Sequence, residues 1–170
     1  MSFAPQSRHQ SRSRSRARAR AARPPTDIPA PGVPLTGPEE ALRILLAATS
    51  EPPRHETVAV LLDGAHRGLG PCLVCDGAST ADQVLDLGGL LATLGQREPT
   101  FGAVVLATCR PGRGVELLPD DEAAFYRLRH DLAELGVELL DWFLLDGGLA
   151  ASVSERTDGC WRWSTEPPSW

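Results

Sequence analysis

Two stretches of the chain are too continuously apolar to lie at the surface of a sheet, Thr57-Val-Ala-Val-Leu-Leu-Asp63 and Gly102-Ala-Val-Val-Leu-Ala-Thr108, and Val137 to Leu145 reads as a further strand. A strand with one face in water alternates apolar and polar residues, and the first two do not alternate cleanly. Both are expected to be buried on both faces, and a sheet made of such strands must be covered by helices. That requirement selects an α/β architecture.

The intervening segments supply the helices and turns. Thr36-Gly37-Pro38-Glu39-Glu40 places a proline at the first helical position and two acids in the positive first turn. The spacing predicts a helix to about Thr49, with Leu42, Ile44, Leu45 and Leu46 on its apolar face and Pro52-Pro53 as its stop. Gly64-Ala-His-Arg-Gly68 turns the chain, and Pro71-Cys-Leu-Val-Cys75 reads as a short strand returning along residues 57–63. Ser79-Thr80-Ala81-Asp82 offers an N-cap for a second helix, lined by Val84, Leu85, Leu87, Leu90, Leu91 and Leu94. A third helix is expected from about Asp120 to Leu135, closed by Gly136. Asp146-Gly147-Gly148 is a hairpin turn leading to a last strand over Leu149 to Ser154. The order α-β-β-α-β-α-β-β predicts a single-domain mixed β-sheet flanked by helices. Residues 36–100 contain no Phe, Tyr or Trp, so that half of the core rests on Leu, Val and Ala.

Charge divides the chain. Residues 1–35 hold seven arginines against Asp27 alone, a net +6, which leaves −11 for the remainder of a chain whose formal charge is −5. Residues 1–35 read as a disordered basic arm: Arg12, Arg14, Arg16, Arg18 and Arg20 alternate with Ser and Ala, and Pro24, Pro25, Pro29 and Pro31 exclude a continuous helix. An arm of this kind grips phosphate non-specifically, resembles an organelle transit peptide, or is simply a solvated tail, the commonest of the three. A mis-assigned start is a fourth reading, since Met1 is the only methionine. The acidic remainder repels phosphate backbones, so any DNA contact is expected to be weak, non-specific and confined to the arm. All 17 basic residues are arginine, a bias that carries no functional weight. No run approaches the ~18 apolar residues needed to span a bilayer, and the start lacks a secretory apolar core, so a cytoplasmic protein without a membrane partner is expected. Residues 157–170 form a tryptophan- and proline-rich tail expected to lie on the domain surface.

Candidate chemistry is sparse. Pro71-Cys72-Leu-Val-Cys75 matches half of a zinc deaminase signature, yet residues i and i+3 of a strand face opposite sides and their sulfurs cannot converge. His55-Glu56 are adjacent, so the His-x-Glu half is missing. His9, His55, His66 and His130 share no helix face and no ligand spacing, and no P-loop, G-x-G-x-x-G or G-x-S-x-G occurs.

The segments Arg54 to Asp63, Arg67, Asp76-Gly77-Ala-Ser79, Leu106-Ala-Thr-Cys-Arg-Pro-Gly112, Leu135-Gly-Val-Glu-Leu-Leu-Asp141 and Asp146-Gly-Gly148 resemble, in order and spacing, the RadC-like JAB/MPN domain over roughly residues 38–156. The resemblance implies a catalytic zinc held by a first-strand glutamate, a His-x-His-Pro motif and an aspartate opening the next helix. Here Thr108, Cys109, Arg110 and Pro111 stand at the motif, of which only the proline is kept. Asp121 falls at the aspartate, with neighbouring Asp120 as the other choice, and Leu118 at an expected serine. Glu56 lies near the glutamate, though a one-residue shift would turn it to the other face. Threonine cannot replace an imidazole, and Arg110 brings positive charge to a metal position.

The expectation is therefore a binding or interaction module, a pseudoenzyme without metal or cofactor, whose protein partner and oligomeric state the residues do not name. Two alternatives stand beside it. One is a zinc-dependent hydrolase of the JAB type, or a deaminase, using Glu56, Cys72, Cys75, Cys109 and Asp121. The other is a DNA-associated accessory protein contacting DNA through the arm. The loop Cys109 to Gly114 is the expected binding site, because Arg110 and Arg113 flank Pro111-Gly112, and Gly112 and Gly114 let backbone amides approach an anionic group. The competing reading pairs the two arginines with Glu116, Asp120 and Asp121 and holds the loop shut.

Overall fold

The computed structural model describes residues 20–21 and 32–157. The expectations for the arm apart from residues 20–21 and 32–35, and for the tryptophan-bearing tail beyond Thr157, Cys160 included, lie outside the described residues. The strands are β1 (Arg20–Ala21), β2 (Glu56–Asp63), β3 (Leu73–Asp76), β4 (Phe101–Cys109), β5 (Glu138–Asp146) and β6 (Leu149–Ser152). The helices are α1 (Pro38–Ala48), α2 (Ala81–Arg97), α3 (Pro119–Ala133) and α4 (Val153–Thr157). The six strands form one mixed sheet in the order β1-β6-β5-β4-β2-β3. Only β4 and β5 pair in parallel; β2 with β3, β2 with β4, β5 with β6 and β1 with β6 are antiparallel. The crossover through α2 joins two strands running the same way, but β2 lies between them, so it creates no second parallel pair.

The long apolar runs form the strands for the reason their composition implies. On β2 and β4 alternate residues enter two separate cores. Val58, Val60, Leu62, Val105 and Ala107 pack with Leu35, Ala41 and Leu45 under α1, while Ala59, Val104, Leu106 and Trp142 pack under α2 and α3. With both faces covered, period-two patterning has nothing to record, and the runs are apolar throughout. In α2 the buried stripe is Val84, Leu87, Gly88 and Leu91, the i, i+3, i+4, i+7 set. Leu90, expected on that face, is 43% exposed because it lies about 100° around the helix from Leu91. Gly88 lets α2 and α3 approach closely: a Cβ there would sit 2.5 Å from Leu128 Cδ1.

Two local features depart from the expected layout. The last strand ends at Ser152 rather than Ser154, because the Ser152 hydroxyl accepts the Glu155 amide at 2.9 Å and turns the following residues into α4. At the other end of the chain, segments assigned to the arm join the body. Arg20–Ala21 pair with Ala150 and Leu149, Pro34 bridges to Arg67, and Leu35 is buried with its amide donating to His66 O at 3.0 Å.

Candidate functional site

The last residues of β4 and the first residues of α2 and α3 meet at one end of the sheet, and there the structure brings together Thr108, Arg110 and Asp121. Arg110 follows β4 directly. Its backbone amide donates to Leu145 O at 2.9 Å, which fixes the residue beside the parallel partner strand. From that position its guanidinium reaches α3 and forms a two-pronged pair with Asp121: Nη1 to Oδ2 at 2.8 Å and Nη2 to Oδ1 at 2.5 Å. Nε donates to Ser79 O at 2.9 Å, just ahead of α2. Asp121 Oδ2 also accepts the Leu118 amide at 3.1 Å, half of a capping arrangement whose other half is missing because leucine has no side-chain acceptor. Arg110 and Asp121 are 4% and 2% exposed. A buried charge is tolerated only when paired and hydrogen-bonded, and this planar fork on a carboxylate meets both conditions.

Beneath the pair runs a chain of hydrogen bonds whose direction follows from valence. Thr57 Oγ1 donates to Ala78 O at 2.8 Å, so its proton is used. The 2.9 Å contact between Thr57 and Thr108 must then carry the Thr108 proton, and Thr108 Oγ1 in turn accepts the Trp142 indole N–H at 2.8 Å. Thr57, Thr108 and Trp142 are completely buried. Every hydroxyl and indole proton in the row has an acceptor.

Glu56 does not belong to this group. It shares a face with Val58 and Val60, on the α1 side of the sheet, where Ser50 holds both of its oxygens: amide to Oε1 at 2.6 Å and hydroxyl to Oε2 at 2.8 Å. The β2 residue that faces the Arg110 side is Thr57, one residue away, the shift that alternation along a strand makes decisive. Cys109 also lies on the α1 face, opposite Glu56 in the ladder. Burial pushes its thiol up, and the charges of Glu56 and Asp146 push it further. Cys72 packs into the α1 core and Cys75 into the α2–α3 core, so the two sulfurs diverge as strand geometry requires, and burial raises both thiols. None of the three is poised as a thiolate nucleophile.

The glycines of the Cys109–Gly114 loop do present amides to an anion, and that anion is internal. Gly112 and Gly114 donate to Asp146 Oδ1 at 2.9 Å and Oδ2 at 2.6 Å. Both glycines have positive φ, 76° and 73°, a conformation L side chains rarely adopt. The loop is thereby tied to the β5–β6 turn, and its amides are not open to a ligand. Arg110 is shut in by Asp121, whereas Arg113 is exposed and its guanidinium has no partner among the described residues. Glu116 and Asp120 are exposed and pair with neither arginine.

A zinc ion does not fit this donor set. Thr57, Thr108 and Arg110 are not zinc ligands, and the one carboxylate present, Asp121, has both oxygens engaged by the guanidinium. Among the described residues no group of three or more His, Cys, Asp or Glu is placed to hold a metal ion. No residue in the group is an available general base or nucleophile either.

Sequence reasoning missed one buried ionisable group. Asp141 on β5 is completely buried, and its carboxylate accepts the Ser152 hydroxyl at 2.8 Å and the Trp142 amide at 2.7 Å, with the Ser154 amide at 3.3 Å. Burial pushes its pKa up to about 6, against the downward pull of those hydrogen bonds. An acid inside an otherwise apolar strand run was the available signal. Leu140 is left unpaired at a register shift between β4 and β5, and Asp141 follows it, within reach of the Ser154 amide in the first turn of α4. The group belongs to the framework and not to the Arg110 site.

No protein-family model matches the chain, and no curated protein matches it.

Proposed function

We propose that this chain is a RadC-like JAB/MPN-type domain that has lost its catalytic centre and works by binding a protein partner. The observation that carries the reading is the Arg110–Asp121 pair. At the motif positions that the resemblance assigns to a metal site, a guanidinium supplies the positive charge that a cation would supply, and it consumes the carboxylate that would hold one. Thr57 and Thr108 fill the adjoining positions with a hydrogen-bonded pair. With both Asp121 oxygens taken by the guanidinium, no carboxylate oxygen is left to hold a metal for water activation. In this reading the exposed part of the loop around Arg113 is the contact surface, a cation on an otherwise acidic body suited to an acidic partner.

Elemental analysis of the purified full chain tests it. The expected result is no stoichiometric metal and no hydrolysis of isopeptide-linked substrates when zinc is added. Stoichiometric zinc that is lost on mutating Cys109 or Asp121 overturns the reading in favour of a hydrolase.

A further inference from the structure

The two edges of the sheet end differently. At one, the chain lays its own Arg20–Ala21 along β6. At the other, it covers the turn after β2, where Pro34 bridges to Arg67 and the Leu35 amide donates to His66 O at 3.0 Å, but the cover stops there. β3 lies last in the strand order, pairs with β2 alone, and has no strand on its outer side among the described residues.

The ladder decides which main-chain groups of β3 are left over. Gly77 N donates to His55 O at 2.7 Å, and the pairs Glu56↔Asp76 and Thr57↔Cys75 carry that register into the strand. Hydrogen-bonded and non-hydrogen-bonded positions alternate in an antiparallel pair, so Leu73 and Cys75 direct their N–H and C=O to β2. Val74 and Asp76 direct theirs outward, and no hydrogen bond from another described segment reaches them. The Val74 side chain, on the α1 side with its ladder partner Val58, is 45% exposed. Sheet edges are normally guarded by basic residues, proline or a bulge, and Cys72 to Asp76 has none of these.

An edge of this kind takes an extended strand, and its own sequence is complementary to it. Turned about an axis through Val74 and normal to the sheet, the strand meets itself antiparallel, with the same faces of the two sheets on the same sides. Val74 then faces Val74 as a hydrogen-bonded pair that uses the outward groups of both copies, and Cys72 faces Asp76. On the α2 side Leu73 faces Cys75 twice, in the closer, non-hydrogen-bonded positions, with an apolar side chain on each. Asp76, the only charge in the segment, meets a neutral cysteine. Other registers are worse: centring on Asp76 sets two carboxylates opposite each other, and centring on Cys72 leaves Val74 opposite Gly70, outside the strand.

We propose that two copies of this chain join edge to edge through β3, with Val74 on the two-fold axis, and continue one sheet across both. The pairing uses neither the buried Arg110–Asp121 pair nor the family resemblance. Residues 72–76 are far fewer than the ~20–30 a side of a standard interface, so the dimer is reversible and forms as concentration rises.

Sedimentation velocity of the full chain in reducing buffer, over a range of concentrations, is the first test. The expected result is a monomer when dilute and a dimer when concentrated. Val74→Pro removes an N–H that β2 does not use, a change tolerated at an edge, and should hold the chain monomeric at the highest concentration with at most a small drop in the melt of the dilute protein. Val74→Lys sets two positive charges on the axis and should do the same without altering the backbone, which decides the matter if the proline variant unfolds. Leu73→Cys reads the register. Non-hydrogen-bonded antiparallel partners have Cα atoms about 4.5 Å apart, within disulfide reach, so mild oxidation should link position 73 of one copy to Cys75 of the other, as peptide mass mapping would show. Three results overturn the proposal: a monomer at every concentration, a dimer that survives both Val74 substitutions, and an oxidised Leu73→Cys chain without the link from 73 to 75 between copies.

Discussion

Replacing Asp141 by asparagine should change how stability depends on pH by an amount the structure sets. The carboxyl is completely buried and its pKa is raised from 3.8 to about 6, burial outweighing the hydrogen bonds from Ser152, Ser154 and the Trp142 amide. A raised folded-state pKa means that the folded chain binds the proton more tightly than the unfolded one. The contribution to stability is therefore complete below pH 3.8 and is lost as pH rises through about 6. A shift of roughly two units corresponds to about 3 kcal/mol between those limits. Asparagine keeps the shape, keeps an oxygen for the Trp142 and Ser154 amides, and can donate to the Ser152 hydroxyl. It has no charge to bury. Urea denaturation of both proteins from pH 3.5 to 7.5 measures the difference, in which other titrating groups cancel. Relative to the unmodified chain, Asp141→Asn should gain about 3 kcal/mol across the window, most of it between pH 4 and 6. A difference that is constant with pH would refute the reasoning.

Two other substitutions probe the frame of the site. Thr108→Val keeps the shape but leaves the buried Trp142 indole N–H without its acceptor, and should cost about 2 kcal/mol in denaturant midpoint measurements, whereas a neutral result would mean the hydrogen-bonded row contributes nothing. Gly102→Ala would place a Cβ 2.7 Å from the Gly64 amide nitrogen, against backbone that cannot step aside, and should lower the melting temperature by the equivalent of ~1–3 kcal/mol. Gly89→Ala in α2, which meets nothing within 4 Å, should instead raise it by ~0.5–1 kcal/mol; the same sign for both glycines would contradict the packing described.

Strands β2 and β4 were legible because burial on both faces writes itself as an apolar run, and the helices because Pro38, Thr80 and Gly136 mark their ends. The divergence of Cys72 and Cys75 followed from alternation alone. What escaped was set by single-residue phase and by distance. Glu56 and Thr57 differ by one position, and only the ladder with β4 decides which of them faces α3. Gly112 and Gly114 announced amides suited to an anion, but Asp146, more than thirty residues away, supplies it, and nothing local could reveal that. The short helix α4 lay hidden in a stretch of Ala, Ser and Val, because its start depends on one serine hydroxyl. Arg110 was legible as the wrong charge for a metal site, and its pairing with Asp121 was one of two readings that the residue order allowed.

The claim on which the functional reading depends is that Arg110 and Asp121 neutralise each other inside the protein and so close the site. A double-mutant cycle with Arg110→Met and Asp121→Asn, read by urea denaturation in zinc-free buffer, tests it most directly. Each single change strands the other partner as an unpaired buried charge and should cost several kcal/mol, of order 3–5 at the upper end. The double variant should cost less than the sum of the two, with a coupling of about 2 kcal/mol or more. Zinc added to the unmodified chain should leave its melt unchanged. Additive losses within about 0.5 kcal/mol, or a melt raised by zinc, would contradict a closed pair and put the metal back in contention.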